Sequence, residues 1–181
     1  MNEIYVAIGL KSDGTVPGIC SMLHIGLAIA GRSGENKTID YDNEIPVNFF
    51  SLKPIGAPWK SNLSNSSERA RLEVYGDNVA ESMANATNWL KSYAKENRIA
   101  NPKFIPVSWP NTFDYAFIMH YFMNQNYLGS PFSISTIFTN EELFSLTDTA
   151  RNKLSQPVKL KVPRSVVRHE DALDLQLSNN K

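Results

Sequence analysis

Ile4-Tyr5-Val6-Ala7-Ile8-Gly9-Leu10-Lys11-Ser12-Asp13-Gly14-Thr15-Val16-Pro17-Gly18 reads as a β-strand running into a turn. Ile4, Val6, Ile8 and Leu10 alternate with Tyr5, Ala7, Gly9 and Lys11, the period of a strand that buries one face. Positions 9 and 11 therefore stand side by side on the other face. Asp13, Gly14, Pro17 and Gly18 are the residue types that turns use.

Moving outward, Ser21 to Ala30 is a nearly continuous apolar run, interrupted by His24 and too short to span a bilayer, so it is expected as a second, buried strand. Gly31 to Lys37 carries the Gly, Ser and Asn of a hairpin loop, and a third strand is expected from about Thr38 to Leu52, irregular at Pro46. Together these make a three-strand antiparallel meander. Lys53 to Arg69, rich in Pro, Ser and Asn, is expected to be a connecting loop with at most a short helix. Val79, Met83, Ala86, Leu90 and Tyr93 then recur at helical spacing, which predicts an amphipathic helix over Asn78 to Glu96. Lys103 to Val107 is a short apolar strand. The turn Trp109-Pro110-Asn111 opens a second helix, which carries Phe113, Asp114, Phe117, Ile118, Tyr121 and Phe122. Glu141 to Leu154 reads as a third helix, and a last short helix begins near His169. The order of strands and helices is that of an α/β domain.

Three blocks in this chain resemble the DEDDh branch of the DnaQ-like 3′-5′ exonucleases. The first is Gly9 to Gly18, with Asp13, Gly14, Pro17 and Gly18 in the frame of the family's opening Asp-x-Glu motif. The second is Asn111-Thr112-Phe113-Asp114-Tyr115-Ala116-Phe117, similar to the Phe-Asp-x-x-Phe helix. The third is His169-Glu170-Asp171-Ala172-Leu173-Asp174, where a His stands five positions before an Asp. The resemblance runs from about Ile4 to Leu177. It implies a ribonuclease H-like fold with a mixed central sheet flanked by helices, Mg²⁺ or Mn²⁺ as cofactor, metal ligands at Asp114 and Asp174, a general base at His169, and 3′ ends of single-stranded DNA or RNA as partners. It also allows a homodimer. The chain departs from the family at the Asp-x-Glu pair itself, which is Gly9 and Lys11 here.

At 181 residues with 42% hydrophobic content the chain suits one domain with a full core. Its formal charge of zero leaves any attraction to nucleic acid to a local patch. The single cysteine, Cys20, excludes an internal disulfide and suits a reducing compartment. The N-terminus lacks the pattern of a secretory signal, so a cytoplasmic protein is expected, with no membrane partner.

Two-metal phosphodiester hydrolysis needs several carboxylates around a pair of divalent ions. Lys11 instead brings a positive charge, and a unit charge about 4 Å from another is worth roughly 4 kcal/mol at an effective dielectric of 20, about twice that against a divalent ion. Loss or strong reduction of metal-dependent hydrolysis is the expectation. An ammonium set between Asp114 and Asp174 would offset two otherwise unpaired carboxylates, as an internal stand-in for the metal. His169 suits proton removal from water, or is an exposed loop His. His24 and His120 are better read as partly buried structural residues, and Asp13 as a turn residue rather than a replacement ligand.

Arg151, Lys153, Lys159, Lys161, Arg164 and Arg168 crowd the chain before His169 with no acidic residue among them. In a family-like fold Lys161, Arg164 and Arg168 would lie where they contact phosphates; otherwise they form a solvated loop. Trp109 and Phe113 can stack a terminal base or serve as core. Three functions follow: an exonuclease-like binder of strand ends with little or no turnover, an active exonuclease with a rearranged metal site, or a non-catalytic interaction module on the same scaffold.

Overall fold

The computed structural model describes residues 2–32, 45–55, 66–107, 111–124 and 128–132. Its strands are β1 (Glu3–Ser12), β2 (Met22–Arg32), β3 (Val47–Ser51) and β4 (Lys103–Val107); its helices are α1 (Ser66–Tyr75), α2 (Val79–Glu96) and α3 (Asn111–Asn124). The strands form one mixed sheet in the order β3-β2-β1-β4. β1 and β3 each run antiparallel to β2, and β4 joins the other side of β1 in parallel. The chain is thus α/β, with the central strand β1 reached from both directions.

Period-2 alternation places the side chains as expected. Ile4, Val6 and Ile8 of β1 share the main core with Ile25, Leu27 and Ile29 of β2, Phe50 of β3 and Phe104 of β4. Met83, Ala86, Leu90 and Ala94 of α2 and Phe117, Ile118, Tyr121 and Phe122 of α3 close that core. The opposite face carries a smaller cluster of Ala7, Ala28, Ala30 and Ile45, with Tyr5 packed against it. Full burial of a large aliphatic or aromatic side chain contributes about 1.5–3 kcal/mol, so the main core holds α2 and α3 on the sheet.

α2 follows its sequence pattern closely. Asn78 caps it, its side-chain oxygen accepting from the Glu81 N–H at 3.0 Å, and Lys95 stands in the last turn where a cation suits the helix dipole. Two elements differ from expectation. Residues 38–44 of the expected third strand, Thr38 to Leu52, lie outside the described residues. Among the described residues it begins at Val47, because Pro46 has no N–H for the ladder and gives only its carbonyl, to Ile29 N–H at 3.0 Å. Leu52 leaves the strand to form an isolated bridge with Asp77. The segment from Lys53 to Arg69, expected as a connecting loop with at most a short helix, ends in the first residues of α1, which is ten residues long and runs on to Tyr75. Its apolar residues do not recur at helical spacing: Leu72 is fully buried while Val74 is exposed, so no stripe marked it in the sequence. The expected helices over 141–154 and near His169 lie outside the described residues.

Candidate functional site

The end of β1 carries Gly9 and Lys11, and cross-strand pairing decides what surrounds them. Lys11 stands opposite His24, and His24 opposite Ser51, so three strands present Lys11, His24 and Ser51 as one row on the face away from the main core. The adjacent row on that face is Gly9, Gly26 and Phe49, followed by Ala7, Ala28 and Val47. Two glycines lie directly opposite each other beside Lys11 and His24.

α1 completes the row. The Glu68 carboxylate accepts from the Lys11 ammonium on one oxygen and meets His24 Nε2 at 2.8 Å on the other. A carboxylate only accepts, so the proton of a neutral His24 sits on Nε2, and Nδ1 is left to accept from the Ser51 hydroxyl at 3.1 Å. Partial burial alone pushes the Glu68 carboxyl up, but the hydrogen bonds from Lys11 and His24 outweigh that and hold it below the ordinary glutamate value. Burial is graded along the chain of contacts: 47% of the Lys11 side chain is exposed, 27% of Glu68 and 11% of His24.

The next residue of α1 makes a second, more deeply buried attachment. Arg69 donates through Nη1 to the Asp13 carboxylate and to Ser21 Oγ at 3.0 Å, and its Nε lies 3.3 Å from Glu73. Asp13 also accepts from the Ser21 N–H at 2.5 Å. Ser21 Oγ donates to the Ile55 carbonyl at 2.7 Å and receives its N–H at 3.1 Å, tying the β1–β2 turn to the chain beyond β3. Asp13 and Arg69 are each about 95% buried, at 4% and 5% exposure. Asp13 is therefore engaged in holding the turn.

β4 runs parallel to β1 in the register Ala7 to Val107, so the start of α3 falls at the end of the sheet where Gly9 and Lys11 stand. Asp114 lies in the first turn of α3, 92% buried, where the helix dipole favours an anion. Phe113 is partly buried, packed on the main core and 5.1 Å from the ring of Phe117. α3 is fixed from its other end by Tyr121, whose hydroxyl accepts the Met22 N–H at 2.7 Å, burial pushing that phenol up to about 12. His120 lies against Gly18, at which φ is +84° and a Cβ would come within 2.9 Å of the imidazole. Cys20 is a buried free thiol.

The structure thus gathers Gly9, Lys11 and the start of the Asp114 helix at one end of the sheet. Trp109, Lys161, Arg164, Arg168, His169 and Asp174 lie outside the described residues. Among the described residues the carboxylate that meets Lys11 is Glu68; Asp174, one of the two partners expected for it, lies outside them. Glu68 escaped notice because it sits in a segment without helical periodicity. The signals that could have found it are the lone His24 in an apolar strand and the adjacent Glu68-Arg69 pair after Ser66-Ser67.

The carboxylates of Glu68 and Asp13 are already engaged, while Asp174 and His169 lie outside the described residues. Gly9 offers no side-chain ligand, Lys11 offers a cation, both oxygens of Glu68 are engaged by Lys11 and His24, and both of Asp13 by Ser21 and Arg69. Among the described residues no group of three or more His, Cys, Asp or Glu is placed to hold a metal ion. No described helix is long and apolar enough to cross a membrane.

No protein family's sequence profile matches the chain. It is similar to an Escherichia coli protein named 3′-5′ DNA exonuclease Cap18, with 28% identity over 151 residues, covering 80% of this chain and 70% of that protein. The chain is thus similar in sequence to an exonuclease. That likeness extends over most of both sequences.

Proposed function

We propose that this exonuclease-like chain binds the 3′ ends of single-stranded DNA or RNA and has lost, or retains only weakly, the metal-dependent hydrolysis of DEDDh nucleases. The observation that carries this is the Lys11 ammonium, held on Glu68, at the position where the family's Asp-x-Glu pair supplies ligands to Mg²⁺ or Mn²⁺. Replacing two anions by nothing and a cation changes the local charge by three units, enough to reverse the field a divalent ion would meet. Binding needs less than catalysis does. A strand is held by phosphate contacts and base stacking, which in this reading come from Lys161, Arg164, Arg168, Trp109 and Phe113. His169 stands in the place of a general base and Asp114 and Asp174 in the places of metal ligands, within a ribonuclease H-like fold.

The test is cleavage of end-labelled single-stranded oligonucleotides in Mg²⁺ or Mn²⁺. The native chain should release no mononucleotides, while Gly9→Asp with Lys11→Glu should restore trimming that disappears on adding His169→Ala. Glu68 refines this design, because Lys11→Glu sets two carboxylates against each other; the triple variant with Glu68→Gln relieves that repulsion and should trim at least as fast. Chelator-sensitive trimming by the native chain would overturn the reading in favour of a rearranged metal site. Absence of any oligonucleotide binding would leave a non-catalytic interaction module.

A further inference from the structure

We propose that the Lys11–Glu68 pair is an exchangeable phosphate site. Glu68 holds the ammonium in the free protein, and a backbone phosphate of a nucleic-acid strand takes the carboxylate's place. The inference rests on the reading of the chain as a nucleic-acid binder and names the contact that does the binding at the altered motif.

Three observations carry it. First, the pair is asymmetric. Glu68 is gripped on its second oxygen by His24, which is 89% buried and itself bonded to Ser51, so the carboxylate keeps a partner when Lys11 leaves. Lys11 has nearly half its side chain in solvent and is the member free to move. Second, the cost of exchange is small, because an ion pair this exposed contributes little and a phosphate returns the same charge-assisted hydrogen bond to the ammonium. Third, the positions directly beside Lys11 and His24 in the next row are Gly9 and Gly26, which carry no side chain, the row's Phe49 standing beyond them on β3. The buried Asp13–Arg69 pair one residue further along α1 keeps the helix in place during the exchange. Glu68 then acts as an internal competitor for the strand, a carboxylate occupying the phosphate's position until a strand arrives.

This gives opposite effects for the two halves of one ion pair, an outcome a purely structural role does not produce. Binding of a labelled single-stranded oligonucleotide would be followed by fluorescence anisotropy in chelator across a salt series. Lys11→Gln should weaken binding by up to about fivefold, the scale of one exposed charge contact, and reduce the salt slope by about 0.7, the value of one phosphate contact on a single strand. Lys11→Arg should keep most of the affinity. Glu68→Gln, which can still accept from His24, should tighten binding. Glu81→Gln and Lys95→Gln, charge-matched changes at exposed positions of α2, should each shift affinity by less than the corresponding change in the pair. The site is overturned if Lys11→Gln binds like the native chain, if both halves of the pair shift affinity in the same direction, or if the α2 controls shift it equally. Those results leave nucleic-acid binding itself intact. A native chain that binds no oligonucleotide overturns both.

Discussion

α1 makes two ion pairs with the β1–β2 hairpin through consecutive residues, and the two differ in almost every physical respect. Arg69 reaches Asp13 in the interior, where each partner is about 95% buried and every bond also serves a turn or a neighbouring loop. Glu68 reaches Lys11 at the surface, with a buried histidine behind it and solvent in front. The same chemistry at adjacent positions therefore does different work. Burial makes one pair part of the architecture, since a lone charge left inside is costly. Exposure makes the other inexpensive to open, and a contact that opens readily can be exchanged for a ligand.

The largest effect should come from breaking the inner pair. Arg69→Met leaves Asp13 buried without its cation and should destabilise the fold by about 3–5 kcal/mol, read from the midpoint of urea unfolding at constant slope. Adding Asp13→Leu should recover much of that loss. If the single substitution costs no more than a surface pair, the contrast drawn between the two attachments collapses.

Next in size is Tyr121→Phe, which leaves the buried Met22 N–H without the phenol it donates to. About 1–3 kcal/mol should be lost in the same measurement, the hairpin being pinned from α3 as well as from α1.

The outer pair should contribute far less. Lys11→Met should change stability by at most about 1 kcal/mol, and a loss approaching that of Arg69→Met would show that Lys11 is structural.

The smallest effect concerns pH. Glu68 is held below its ordinary value of 4.5 in the folded chain, so its stabilising contribution is complete above that value and is lost as pH falls through the lowered one. Stability of the native chain relative to Glu68→Gln should be greatest near neutrality and converge in acid below about 4.5. A difference that grew with acidification would mean that the carboxyl is raised on folding, and that neither Lys11 nor His24 dominates its surroundings.

Local patterns explain why some elements were legible and others were not. The alternation of Ile4 to Lys11, the helical spacing of Val79 to Tyr93, the Asn78 cap and the run Lys103 to Val107 each carry their own signal, and they appear as β1, α2 and β4 with nearly the anticipated bounds. α1 has no such signal. It owes its place in the fold to Leu72 and to polar contacts with residues more than forty positions away in sequence, and no local window contains those partners. For the same reason the strand that carries Lys11 was legible in the sequence while its partner Glu68 was not.

Residue type and spacing along the chain were enough to place β1, β2, α2, β4 and α3 in order and to assign the two faces of β1, with Gly9 and Lys11 side by side on one of them. Only the tertiary structure decided that Lys11 answers to Glu68 and His24, and that Asp13 is committed to Arg69. Ion pairing depends on distance and burial in space, and it was the docking of α1 on the end of the hairpin that set both.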